Sequence, residues 1–160
     1  MTLHRLVLAV ALGTAALGLA PAAAQTAGAH AHVTLTPDDL KWGDVPSLPP
    51  GAQLAVIEGP LNEAKPFTFR LKFPANYRIP PHSHPAIERV TVLSGTFHLG
   101  MGDKADRAGA KALPAGSVAI MQPGTTHFAF TDQETVVQLN GNGPWSIQYV
   151  DPADDPRKKQ

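Results

Sequence analysis

Residues 82 to 88 read His-Ser-His-Pro-Ala-Ile-Glu. Two imidazoles one residue apart, followed by a carboxylate four residues after the second, form a donor set for a divalent metal. In a strand, residues i and i+2 point the same way, about 7 Å apart, so His82 and His84 can lean toward one ion. In a helix they would diverge by about 200°, and Pro80 and Pro81 exclude a helix in any case. Glu88 is harder to place. On a straight strand it would lie about 13 Å beyond His84, too far for shared ligand bonds of about 2.0–2.2 Å. The chain must therefore turn at Pro85-Ala86-Ile87. A reversal into an antiparallel neighbour would set Glu88 opposite His84, with cross-strand side chains about 5 Å apart. The candidates for a fourth ligand are His98 and His127. The competing reading is a metal-free cavity in which these histidines are only polar residues.

Composition narrows the chemistry. The 160 residues include 13 basic and 13 acidic side chains and no cysteine. A neutral chain without a basic stripe gives no reason to expect nucleic acid. Without thiolates any metal is held by nitrogen and oxygen, and no disulfide supports the fold. Residues 1 to 24 read as a secretory signal peptide. Arg5 precedes an apolar run from Leu6 to Ala20, Pro21 breaks it, and Ala22-Ala23-Ala24 leads to cleavage before Gln25. A membrane anchor would need about 20 apolar residues. The expectation is an exported protein, periplasmic or secreted, with no membrane segment after cleavage. Removing 24 of the 160 residues leaves 136, enough for one core.

Residues 25–53 read as an N-terminal arm and a proline-rich loop packed by Trp42. The arm carries a second His-x-His pair, His30 and His32, with no third ligand nearby. From Leu54 the pattern is strands. Phe67, Phe69, Leu71 and Phe73 alternate with Thr68, Arg70 and Lys72, the period of a half-buried strand. Further short strands follow, with Gly and Pro between them, and Ser94-Gly95 reads as a two-residue hairpin turn. No amphipathic helix follows the signal. The spacing predicts an all-β domain over 54–150, a single small antiparallel β-barrel or jelly roll, and a polar tail over 151–160.

These residues resemble the cupin superfamily. His82, His84, Glu88 and Gly95 match the spacing of its first motif, with Asn76 where that motif opens on Gly. Gly116, Gly124 and His127 match its second motif, with Pro123 displaced by one position and Thr131 in place of the closing Asn. The resemblance covers roughly residues 54 to 150. It implies a small β-barrel holding one divalent metal through His82, His84, Glu88 and His127, with His98 second to the ligands or in the core.

Four nitrogen and oxygen ligands suit Mn, Fe, Ni, Cu or Zn without choosing among them. Open coordination positions would take water, O2 or a chelating small molecule. Two functions follow. One is a metal-dependent enzyme of oxygenase, decarboxylase or isomerase type acting on a small organic acid or chelating molecule. The other is a non-catalytic module that binds a small ligand or a metal. An enzyme needs an acid or base near the metal, for which Arg70, Tyr77, Arg78 and His98 are the ionisable candidates. Gln138 and Asn140 share a strand face that could line the pocket. Trp145 and Tyr149 read as core or lid, with Gly141-Asn142-Gly143 carrying the chain close to the barrel mouth. An open sheet edge makes a homodimer plausible.

Overall fold

A computed structural model of the chain describes residues 32–158. Residues 1–24, expected to be a signal peptide, and His30 lie outside the described residues. The compact unit begins at Leu35.

Alternation of apolar and polar side chains dictates strands, and eleven strands form among the described residues. They are β1 (Gly43–Asp44), β2 (Gln53–Glu58), β3 (Pro66–Phe73), β4 (Arg78–Ser83), β5 (Glu88–Ser94), β6 (Thr96–Met101), β7 (Lys111–Pro114), β8 (Val118–Met121), β9 (His127–Phe130), β10 (Thr135–Asn142) and β11 (Gln148–Tyr149). The described residues hold no α-helix, only four 3-10 turns. None of their helices is long and apolar enough to cross a membrane. All pairings are antiparallel. The strands make a six-stranded sheet ordered β1-β2-β3-β10-β5-β8 and a five-stranded sheet ordered β11-β4-β9-β6-β7. The result is a jelly-roll sandwich of two sheets rather than one closed barrel.

The core lies between the sheets. As the alternation of β3 requires, Phe67, Phe69, Leu71 and Phe73 are all buried. They form one cluster with Val90, Val92, Val137 and Leu139 from β5 and β10 of the same sheet and with Phe97, Ile79 and Leu113 from the other sheet. Each such side chain contributes about 1.5–3 kcal/mol on full burial.

Two sequence expectations about turns are corrected. β4 and β5 are not a hairpin: β4 pairs with β11 and β9, while β5 pairs with β10 and β8. Pro85-Ala86-Ile87 therefore carries the chain from one sheet to the other. Ser94-Gly95 does the same in reverse, because β6 pairs with β7 and β9 rather than with β5. A short loop reverses a chain equally well within a sheet or across a sandwich, and only distant partners decide between them. Asn76 has φ 60, the left-handed turn expected of the residue standing where the cupin motif has Gly. Thr131 is buried and donates to Pro74 O at 2.8 Å, bracing that turn.

The proline-rich loop is held by Leu48, which enters the core, and by two tyrosines. Trp42 lies under Lys72, with Nζ 4.7 Å from the ring centre. Tyr77 Oη donates to Pro49 O and Tyr149 Oη donates to Ser47 O at 2.8 Å. Burial pushes both phenols well above their usual value. The other tyrosine adds to the shift at Tyr77, and Asp155 adds to it at Tyr149. A folded pKa above the unfolded one gives stability that is present below the unfolded value of about 10 and is lost as pH rises toward the folded value. The urea midpoint should be flat to about pH 9 and fall by about pH 11.5. Tyr149→Phe should flatten that fall while costing about 1 kcal/mol at neutral pH. An unchanged midpoint at alkaline pH would contradict the clamp. The tail is also docked. Arg157 pairs with Asp155 at 2.7 Å and donates to Ile147 O at 3.1 Å.

Candidate metal centre

The strand period and the turns between strands bring His82, His84, Glu88 and His127 together, each at most 6 % exposed. A break in the β4–β9 register between Ile79 and His82 keeps both residues facing inward. His84 follows two residues later on the same face. His127 opens β9 directly opposite His82. It is launched by Pro123-Gly124, a turn closed by Thr125 N donating to Gln122 O at 3.1 Å. Proline then Gly with φ 74 at the two central positions makes it a type II turn. Gly124 N donates to His84 O at 2.9 Å, which ties the turn to the neighbouring ligand. The displaced proline of the second motif therefore still delivers His127. Glu88 opens β5 in the opposite sheet and reaches the histidines across the sandwich interior.

Backbone carbonyls fix the imidazoles. His82 Nδ1 lies 2.6 Å from Pro80 O, His84 Nδ1 2.7 Å from Ser146 O, and His127 Nδ1 3.0 Å from Thr125 O. A carbonyl only accepts, so each Nδ1 carries a proton, and in the neutral ring the lone pair is then on Nε2. A metal-ligating histidine needs that arrangement. One nitrogen from each ring lies within 4.8 Å of the others. Ligands about 2.1 Å from a common ion stand roughly 3–4 Å apart, so modest closure suffices. Three buried histidines are thus positioned to bind a metal ion.

Glu88 adds a charge beside them. Its Oε2 lies 3.4 Å from His84 Nε2 and 3.1 Å from His127 Nε2. The second contact is near enough for charge attraction but misses hydrogen-bond geometry. His84 Nε2 and Glu88 Oε2 are buried with no hydrogen-bond partner in the protein. A lone pair and a carboxylate oxygen turned toward each other repel unless a proton or a cation lies between them. The donor set therefore fits a divalent ion. Burial pushes His82 well down, and His127 and His84 push it further. Burial also lowers His84, with Glu88 only partly offsetting it. Burial opposes charge on His127 too, but the adjoining Glu88 outweighs it and leaves that group raised. Neutral imidazoles at His82 and His84 are ready to ligate.

The remaining cavity wall is apolar. It includes Phe73, Val90, Phe97, Met121, Leu139 and Ile147, and its free volume is ≈ 20 Å³. The other ionisable candidates lie elsewhere. Arg70 bonds Gln138 at 3.1 Å on the outer face of the six-stranded sheet. Arg78 is exposed, and Tyr77 serves the loop. Gln138 and Asn140 do not line the cavity, because Val137 and Leu139 take the inward positions of β10. His98 is no neighbour of the ligands. It stacks on Phe130 at 4.4 Å and pairs with Asp132 at 3.3 Å on the far face of its sheet. His32 is exposed.

The chain after Gly143 crosses the mouth as a strap, where the sequence analysis set Trp145 as core or lid; what sequence reasoning missed is its grip on His84. Trp145 N donates to Leu61 O at 2.7 Å and Gly143 N to Lys65 O at 2.9 Å. So anchored, the strap lays Trp145 flat on the His84 ring, 4.6 Å between centres at 17°, and presents Ser146 O to the same ring. The glycines at 141 and 143 were the available signal.

Comparison with known proteins agrees with this architecture. The polyketide cyclase RemF of Streptomyces resistomycificus superposes with TM-score 0.66 at 17% identity, covering 80% of this chain and 92% of that one. An RmlC-like cupin from Shewanella frigidimarina gives TM-score 0.56 at 15% identity, covering 69% and 88%. The Rhodobacter sphaeroides structure of SigE with the anti-sigma ChrR gives 0.50 at 18% identity, covering 67% of this chain and 51% of that one. At such identities the likeness shows the fold. No curated protein matches the chain. The sequence profile of the ChrR cupin-like domain matches residues 30–146, and the chain belongs to that family of the cupin superfamily.

Proposed function

We propose that the protein is an exported metal-dependent enzyme of the dioxygenase type. It would hold one divalent transition metal on His82, His84, Glu88 and His127 and act on a small anionic or chelating molecule. The observation that carries this reading is the convergence of three Nδ1-anchored imidazoles on a carboxylate whose facing oxygen has no hydrogen-bond partner. A divalent ion there would supply Lewis acidity and open positions for O2 and substrate. The chain's own residues fix ring orientation through three carbonyls and exclude bulk water with an apolar wall. Glu88 lowers the net charge of the centre. Decarboxylation or isomerisation would call for an arginine or a second carboxyl beside the metal. Among the described residues lining the cavity, Glu88 is the sole carboxyl and there is no arginine.

A second reading, a non-catalytic ligand-binding module, is favoured by the cavity's ≈ 20 Å³, near the space one water needs. Elemental analysis tests the enzyme reading first. The mature protein should carry about one metal per chain, and Glu88→Ala and His127→Ala should lose it. No uptake after offering Mn, Fe, Ni, Cu and Zn would overturn the enzyme reading and leave the ligand-binding module. Metal-dependent O2 consumption with small carboxylates or enols would then separate enzyme from module.

A further inference from the structure

Three buried side-chain nitrogen or oxygen atoms among the described residues lack a hydrogen-bond partner: His84 Nε2, Glu88 Oε2 and Trp145 Nε1. All three residues line the same cavity. Buried polar atoms are otherwise paired almost throughout proteins, so three exceptions around one small space need a common cause. They differ in kind. His84 Nε2 and Glu88 Oε2 offer lone pairs, and one cation satisfies both. The indole nitrogen only donates, so a cation does nothing for it and an acceptor is required.

The neighbours of Trp145 do not supply that acceptor. One face lies on the His84 ring, whose Nδ1 proton is engaged by Ser146 O. Phe69 and Phe67 meet it in edge-to-face contacts, with ring centres 5.0 and 6.3 Å away. The backbone hydrogen bonds of the strap, from Trp145 N and Gly143 N to the 61–65 loop, hold the indole in place. The protein itself offers Trp145 Nε1 no acceptor, and Trp145 helps to wall the cavity, from which an acceptor would come.

We propose that Trp145 is a positioning residue whose indole N–H donates to a small anion entering the cavity beside the metal. The inference rests on the metal reading above. Charge favours an anion: a divalent ion, one carboxylate and neutral imidazoles leave a centre of net charge about +1. Size limits it to a diatomic or triatomic species, or to the carboxylate or enolate head of a longer molecule whose body stays outside the ≈ 20 Å³ space. The donor also gives the site a preference for acceptor ligands over purely apolar ones of equal size.

Azide binding to the Co(II)-loaded full mature chain, followed by visible absorption, tests this. Trp145→Phe keeps an aromatic face on His84 and removes the N–H. The expected result is unchanged cobalt content with azide bound roughly tenfold more weakly. Equal azide affinity in the two proteins would overturn the donor role. Loss of cobalt in Trp145→Phe alone would also overturn it, by showing that the indole acts only to hold His84. Failure of the parent to take up cobalt, or any of the other metals offered, would instead strike the metal reading itself.

Discussion

A divalent transition metal added in excess to the metal-stripped protein is expected to raise its melting temperature by roughly 10–20 °C. The donors come from β4, the loop after it, β5 and β9, on both sheets. Only the folded chain assembles them, so binding energy becomes folding energy. At about 1,000 times Kd that linkage is worth about 4 kcal/mol, and a domain of this size gains several degrees per kcal/mol. His84→Ala should abolish the shift, since it removes a ligand and the ring that Ser146 and Trp145 hold. Glu88→Gln separates charge from shape. Without metal it should change stability little, because it removes a buried charge with no hydrogen bond on its facing oxygen together with that charge's attraction to His127. With metal it should shift far less. Calorimetry of the three proteins with each of Mn, Fe, Ni, Cu and Zn decides the matter. Equal shifts in parent and His84→Ala would place the metal elsewhere.

What was legible in the sequence was what local period controls. His82 and His84 face one way because strands repeat every two residues, and the same rule buries Phe67, Phe69, Leu71 and Phe73. Asn76 was legible because a left-handed position tolerates few residues. Sheet membership was not. Pro85-Ala86-Ile87 carries no mark telling a hairpin from a crossing between sheets, since the decision lies with β9, β10 and β11, forty or more residues away. The wrong path still led to the right neighbour, because the sandwich interior brings Glu88 as close to His84 as a cross-strand pair would. Gln138 and Asn140 went astray for a related reason. They do share a face, but alternation cannot say which face is inside when Val137 and Leu139 offer the other. The roles of Trp145 and Ser146 depend on contacts with Leu61 and His84, far away in sequence, which no local pattern records.

Gly95→Ala is expected to cost roughly 3–5 kcal/mol, and Gly124→Ala about 1–2 kcal/mol. Both glycines have φ 74, so the backbone penalty for a Cβ in the left-handed region is the same for the two. Their surroundings differ. A Cβ at Gly124 meets nothing within 4 Å, whereas at Gly95 it would stand 2.4 Å from Glu134 O, 2.5 Å from Thr135 Oγ1 and 2.9 Å from Thr135 Cα. Those atoms cannot easily retreat. Thr135 is fully buried, opens β10 in the middle of the six-stranded sheet, and its hydroxyl lies 3.2 Å from Thr96 O and 3.1 Å from Gln133 O. The corner that hands the chain from β5 to β6 is therefore packed directly against the start of the strand that pairs with β5. Relief would mean moving one sheet against the other. Urea denaturation of the two variants measures the difference, which isolates close approach from backbone strain. Equal losses would mean that the corner yields and that φ alone keeps Gly95 in place. A loss at Gly95 exceeding that at Gly124 by 2 kcal/mol or so would show that the crossing between sheets at this end of β5 is held by contact.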